Sequence, residues 1–260
     1  MSLLPEAAAL LVAAGLYAGG LEPGLLGVSE HTAELPGLGE PVRLVHWTDL
    51  HGRNLSRLRW PGPEPDVIAF TGDLATGAAD LPGTEATLAR MDEVWAGCRA
   101  RYAVLGNHDR RAGRARVAAA LERHGYRVLD NVGELWRGIW VAGTDDAHRG
   151  RPNLAAALAG APPGVPRLLL THSPELFPQA VAAGVDLALA GHTHGGQVRV
   201  PLVGALMTAS RLGRRYVMGE YREGRSLLFV SRGIGTVHLP LRLFCPPEIA
   251  IFKLVPAPLG

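Results

Sequence analysis

From Val42 onward, short apolar runs recur along the chain, and most are too short for anything but strands. They predict strands at Val42–Trp47, Val67–Thr71, Tyr102–Leu105, Ile139–Ala142, Leu168–Thr171, Leu187–Ala190, Leu227–Ser231 and Ile249–Leu254. Between them, helical spacing predicts helices at Glu85–Ala96, Arg114–His124 and Glu175–Ala182. Strands alternating with helices predict an α/β architecture.

Ahead of Val42 the pattern changes. The apolar run Ala7–Leu21 reads as helical despite Gly15, Gly19 and Gly20, and from Leu3 to Val28 the only charges are Glu6 and Glu22. A membrane-spanning helix needs about 20 apolar residues, more than this run offers. A secretory signal needs basic residues before its apolar stretch, and no Lys or Arg precedes Arg43. Two readings stay open: a helix packed on the domain, or an anchor at a membrane surface. Gly24 to Pro41 is punctuated by Gly and Pro and reads as a linker. The expected organisation is an apolar segment over 1–28, a linker over 29–41 and one domain over 42–260.

The polar residues that end the apolar runs carry the candidate chemistry. Asp49 and His51 follow VRLVHWT, Asp73 follows VIAFTG, Asn107 follows YAVLG, His172 follows LLLT, and His192 and His194 follow LALAG. Ligands of open α/β sheets collect at the carboxyl ends of strands, so these side chains are expected to converge. Asp49 and His51 lie two residues apart, as do His192 and His194, and each pair shares a side if strand geometry persists. Carboxylate with imidazole suits a divalent metal such as Mn, Fe or Zn. His31, His46, His124, His148 and His238 lie outside these motifs and read as structural, His46 pointing into the core or a helix layer. Asp145 and Asp146 read as turn residues or as a loop near substrate.

Composition narrows the partners. With 47% hydrophobic and 19% charged residues, the chain is neither disordered nor a polytopic membrane protein. A net charge of +2, with no long basic stripe interleaved with aromatics, argues against a nucleic-acid channel. Lys253 is the only lysine among 26 basic residues, and arginine is the better bidentate phosphate ligand. Cys98 and Cys245 stand in no CxxC or Cys/His spacing, which excludes a disulfide scaffold and a cysteine zinc site and fits a reducing compartment.

The ordered series Asp49-Leu50-His51, Gly72-Asp73, Gly106-Asn107-His108-Asp109, His172 and Gly191-His192-Thr193-His194-Gly195-Gly196 resembles the calcineurin-like metallophosphoesterase superfamily. The tail Ser231-Arg232-Gly233-Ile234-Gly235, with Pro240-Leu241-Arg242 and Pro246-Pro247-Glu248-Ile249, is similar to the bacterial YkuE- and YaeI-like phosphodiesterase branch. The resemblance implies a four-layer α-β-β-α sandwich of two mixed sheets flanked by helices. It implies two divalent metals, one held by Asp49, His51 and His194, the other by Asn107, His172 and His192, with Asp73 bridging. A hydroxide shared by the metals would be the nucleophile, His108 would protonate the leaving oxygen, and Asp109 would orient His108.

The activity expected is hydrolysis of a phosphodiester or pyrophosphate bond, in a small or lipid-linked substrate. A protein Ser/Thr phosphatase is disfavoured, because that group carries GDxxDRG and GNHE where this chain has GDLATG and GNHD. A phosphomonoesterase and a non-catalytic scaffold are the alternatives. Arg110 and Arg211 are candidate substrate contacts. Arg211, Arg214 and Arg215, beside Leu202, Val203, Leu206, Met207 and Leu212, suit a peripheral contact with anionic lipid, placing the protein in the cytoplasm at the inner membrane face.

Overall fold

The computed structural model describes residue 9 and residues 12–257. The early part of the apolar run Ala7–Leu21 lies outside the described residues. Its remainder is helical over residues 12–16 and closes in a wide turn at Tyr17–Leu21. Among the described residues no helix is long and apolar enough to cross a membrane.

Among the described residues the strands in chain order are β1 Gly27–Leu35, β2 Val42–Trp47, β3 Val67–Phe70, β4 Ala100–Ala103, β5 Arg127–Val128, β6 Val132–Trp136, β7 Ile139–Gly143, β8 Arg167–Leu170, β9 Leu187–Ala190, β10 Arg199–Val200, β11 Gly204–Ala205, β12 Gly219–Glu223, β13 Ser226–Val230 and β14 Glu248–Pro256. The α-helices between these strands are α1 Leu81–Val94, α2 Asn107–Arg123, α3 Leu154–Leu158 and α4 Phe177–Ala182. One sheet has the order β1-β14-β2-β3-β4-β5, the other β12-β13-β9-β8-β7-β6, and β10 and β11 form a two-stranded sheet. In the first, β2, β3, β4 and β5 run parallel and β14 is antiparallel to β2. In the second, β13, β9, β8 and β7 run parallel and the outer strands β12 and β6 are antiparallel.

Strand alternation explains the layering. Val42 and Leu44 of β2 face the space between the sheets, where they join Val67, Ala69, Leu168, Leu170, Leu187, Leu189, Phe229 and Phe252 in one core. Val45 and Trp47 face the other way and pack with Leu88 and Met91 of α1 and Val117 and Leu121 of α2. Behind the second sheet, Leu169, Ala188 and Leu228 pack with Leu154 of α3 and Phe177 of α4. These three cores separate four layers in the order helix, sheet, sheet, helix, as the resemblance implied. His46 is fully buried between the sheets, its Nε2 2.8 Å from Thr71 Oγ1.

Two expectations change. Residues 29–35 are not a linker: they belong to β1, which pairs in parallel register with β14 from Gly27 opposite Glu248 to Leu35 opposite Pro256. Along β1 only Ala33 and Leu35 are buried, so the segment lacks an apolar run and is strand because the far end of the chain supplies its partner. The helix expected over Arg114–His124 begins at Asn107, and Gly113 at φ 106° kinks it. Its first turn therefore carries the GNHD motif.

Candidate metal centre

The parallel strands deliver their carboxyl ends to one place. Trp47, Phe70 and Ala103 stand abreast at the ends of β2, β3 and β4. Beyond them the loops stay zipped: Asp49 N donates to Gly72 O (2.9 Å) and His51 N to Asp73 O (3.0 Å). In the second sheet Gly191 N donates to His172 O (3.0 Å), continuing the β8–β9 pairing. His172 Nδ1 then donates to Thr71 O (2.8 Å), and His192 N to the Asp49 carboxylate (3.0 Å to Oδ2), stitching the two sheets together at their open edge.

Strand geometry ends before the candidate ligands. Asp49, His51, Asp73, His192 and His194 all have positive φ, between 49° and 69°. That region costs a non-glycine residue about 1–3 kcal/mol and concentrates at functional sites. The expectation that residues two apart share a side holds for Asp49 with His51 but fails for His192 with His194. His192 and His194 turn into different groups: Asp49 with His51 and His194, and Asp73 with His172 and His192.

In the first group His51 Nε2 lies 3.0 Å from His194 Nε2, and Asp49 Oδ1 lies 3.9 Å from the former and 3.5 Å from the latter. Thr76 Oγ1, 2.9 Å from His51 Nδ1, orients that ring. In the second, His192 Nδ1 is 3.1 Å from His172 Nε2, Asp73 Oδ2 is 3.3 Å from that nitrogen, and Asn107 Oδ1 is 3.1 Å from it. Because a carbonyl only accepts, Thr71 O fixes the His172 proton at Nδ1 and offers Nε2 to the group.

Burial and charge prepare these atoms for a cation. Burial pushes His51 down to about 4 and His192, with His172 adding, to about 3. Burial, with His51 adding, drives His194 well below its ordinary value. These rings are neutral and present lone pairs, the form a metal needs. His172 is the exception: burial opposes, but Asp73 and Asp49 hold it well above the usual histidine value. Against the push of burial, His172 and His51 hold Asp73 far below the usual carboxylate range. Burial raises Asp49 to about 7, with His172 opposing and Asp73 adding. Buried nitrogens and oxygens crowded at 3.0–3.9 Å fit divalent cations.

His108 sits beside the first group, its ring 4.9 Å from that of His51 in an edge-on arrangement, and its backbone N donates to Asp73 Oδ1 (2.8 Å). Asp109 does not orient it. The Asp109 carboxylate instead accepts from the backbone N of Asp73 (2.7 Å), Leu74 (2.8 Å) and Gly106 (2.9 Å). At the third position of α2, its carboxylate caps the helix start and cradles the Asp73 loop. His108 Nδ1 has no hydrogen-bond partner among the described residues.

The arginine expectations divide. Arg110 is ion-paired to the buried Asp145, which Arg114 also holds at 2.9 Å. Arg211 is exposed, and its backbone N donates to Glu175 Oε1 (2.5 Å). The sequence reading missed His148: its ring lies 4.3 Å from that of His192, and its Nε2 is 3.0 Å from Glu175 Oε1. The signal was present, since Asp145, Asp146 and His148 follow the apolar run of β7 just as the other candidates follow theirs.

Two facing mixed sheets with cation-binding groups at their merged carboxyl edge define a metal-dependent phosphoester hydrolase. The chain belongs to the calcineurin-like phosphoesterase family, whose model matches residues 42–196. It is 29% identical over 270 residues to the metallophosphoesterase YkuE of Bacillus subtilis, spanning 94% of this chain and 93% of that one. It is 32% identical over 199 residues to the phosphodiesterase YaeI of Escherichia coli, spanning 74% and 71%. Members of the family use divalent metals, and the two side-chain groups are this chain's candidates for them.

Proposed function

We propose that this chain hydrolyses phosphodiester or pyrophosphate bonds at a two-cation centre. Asp49, His51 and His194 hold one cation, Asn107, His172 and His192 the other, and Asp73 is shared. The observation that carries this reading is Asp73 Oδ2, which faces His51 Nε2 at 3.6 Å and His172 Nε2 at 3.3 Å. Divalent cations held there would supply a water of lowered pKa and charge for the phosphoryl oxygens of an in-line displacement. The N and O donors suit Mn, Fe or Zn. His108, at the rim of the first group, protonates the leaving oxygen. Asp109 fixes the Asp73 loop and the start of α2, so that the shared carboxylate keeps its place.

The surface beside the centre favours a lipid-linked substrate. The β10–β11 hairpin follows the His194 loop directly and exposes Leu202, Val203, Leu206 and Met207, with Arg211, Arg214 and Arg215 nearby in sequence and exposed. Val12, Leu16 and Leu21 of the N-terminal turns are exposed as well. Apolar side chains with neighbouring arginines suit anionic headgroups at the inner membrane face.

The test is a substrate panel with Mn: a nitrophenyl phosphomonoester, a bis-nitrophenyl phosphodiester, a nucleotide sugar and a UDP-linked acylated sugar. Turnover that survives exhaustive chelation would overturn the metal reading. Faster cleavage of the monoester than of every diester would make the enzyme a phosphomonoesterase. Co-sedimentation with anionic vesicles, lost in a Leu202→Ser/Met207→Ser variant, supports the lipid reading. Wild-type protein that stays in the supernatant removes it.

A further inference from the structure

The N-terminal turns are tied to the back of the first cation group through one buried carboxylate. Glu22 is fully buried although it lies in an otherwise apolar segment. Its Oε2 accepts from Phe244 N (2.9 Å) and its Oε1 from Cys245 N. One helical turn earlier, Ala18 O accepts from Arg242 N (2.8 Å). The segment 242–245 is thus held by the N-terminus on one side.

On its other side the same segment touches the loop that carries His194. The Cys245 thiol donates to His194 O (3.2 Å), and a side chain on Gly195 would strike that sulfur. Leu243 N donates to Gln197 O (3.0 Å), and Arg199 N to Leu243 O (2.9 Å). Arg242, also fully buried, gathers the carbonyls of Arg232 (2.9 Å), Gly233 (3.1 Å), Gly235 (2.6 Å) and Cys245 (2.9 Å). Gly235 N in turn donates to Asp49 O (2.6 Å). Two members of the first group, His194 and Asp49, therefore rest on a segment whose own amides are capped by Glu22. In the second group, Asp73 and His172 are held by Asp109 and by Thr71 O instead.

We propose that Glu22 is a positioning residue for the first cation site, acting through Phe244 and Cys245 on His194, so that the N-terminal turns belong to the metal scaffold. This rests on the reading that Asp49, His51 and His194 hold a divalent cation. A buried carboxylate that accepts two backbone amides fixes a turn more rigidly than packing alone, because each unpaired buried N–H is costly. Side chains that orient ligands from behind change metal affinity by about 10–100-fold when removed.

The experiment titrates Mn into chelated full-length protein by calorimetry, comparing wild type with Glu22→Gln. His194→Ala and His172→Ala serve as references that assign each affinity to its group. Thermal melts of the metal-free proteins run in parallel. Glu22→Gln, which leaves a donor facing a backbone donor, is expected to weaken the first site by about 10–100-fold while the second stays within a few-fold of wild type. Raised Mn should restore the second ion per chain. Unchanged affinities at both sites overturn the proposal. So does equal weakening of both with a lowered melting temperature, the signature of a merely structural role. Wild-type protein that binds no Mn overturns the metal reading itself, and the proposal with it. Should Glu22→Gln fail to fold, Cys245→Ala removes only the thiol at the end of the same path. It is expected to give a smaller selective loss at the first site, and an unchanged first site in that variant overturns the proposal.

Discussion

His51 and His194 stand 143 residues apart in sequence, yet their Nε2 atoms lie 3.0 Å from each other. Both rings are buried and pushed towards the neutral form, so two lone pairs face the same space with Asp49 beside them. Two such nitrogens repel unless a proton or a cation stands between them. That pairing makes the first group a candidate cation site.

Removing single ligands should distinguish the groups. His194→Ala is expected to lower Mn binding from two ions per chain to one, and His172→Ala likewise at the other site. Asp73→Asn should weaken both, since one of its oxygens faces His51 and His172. Metal analysis after gel filtration measures each outcome, and full occupancy of both sites in Asp73→Asn would show that the carboxylate is not shared.

Thr76 holds the back of the His51 ring, so Thr76→Val should reduce first-site affinity by about 10–100-fold with little change in melting temperature. Competition against a metallochromic indicator reads that affinity. No change would mean that the hydroxyl does not orient the ligand.

His108 and Asp109 are neighbours with different tasks, and their variants should fail differently. His108→Asn is expected to keep both metals and lower kcat by roughly 10²–10⁴, less for nitrophenolate leaving groups than for alkoxides. Asp109→Ala strands buried amides of Asp73, Leu74 and Gly106 at about 1–3 kcal/mol each. It should lower the melting temperature before any assay is run. Equal kcat losses for good and poor leaving groups in His108→Asn would indicate charge stabilisation instead of protonation.

A pH-dependent clamp lies in the outer helix layer. His124 follows α2 and reaches Asp92 (2.5 Å) and Glu85 (3.0 Å) of α1. Burial opposes its protonation, but the hydrogen bonds to Asp92 and Glu85 outweigh it and raise the histidine above its ordinary value. A raised folded value means that the stabilisation is complete below the unfolded value of about 6.5 and disappears as pH rises through the folded one. Thermal melts should therefore show His124→Gln less stable than wild type near pH 6, with the gap narrowing as pH rises above the ordinary histidine value of about 6.5. A gap that widens towards alkaline pH would reverse the sign of the clamp.

Most of the fold was legible because period and residue type are local properties. Val42–Trp47 and Leu187–Ala190 are strands at the limits their apolar runs predict. Asp49, Asp73, His172 and His192 announced themselves by ending such runs. The same rule would have found His148 after β7, had it been applied to every strand. β1 stayed hidden, because its sequence buries only two side chains and its hydrogen bonds come from β14 at the opposite end of the chain.

What the sequence determined by itself is the list of chemical groups and the strand ends that carry them. What only the tertiary structure decided is the backbone path that brings those groups together. His192 and His194 are parted by left-handed backbone that no alternation rule describes. Asp109 turns to four backbone amides rather than to His108, and Glu22, in a segment that reads as separable, caps the turn behind His194. The physical reason is the same in each case. A loop beyond a strand has no periodicity of its own, so its shape is set by hydrogen bonds to partners that are distant in sequence and appear only when the two sheets close on each other.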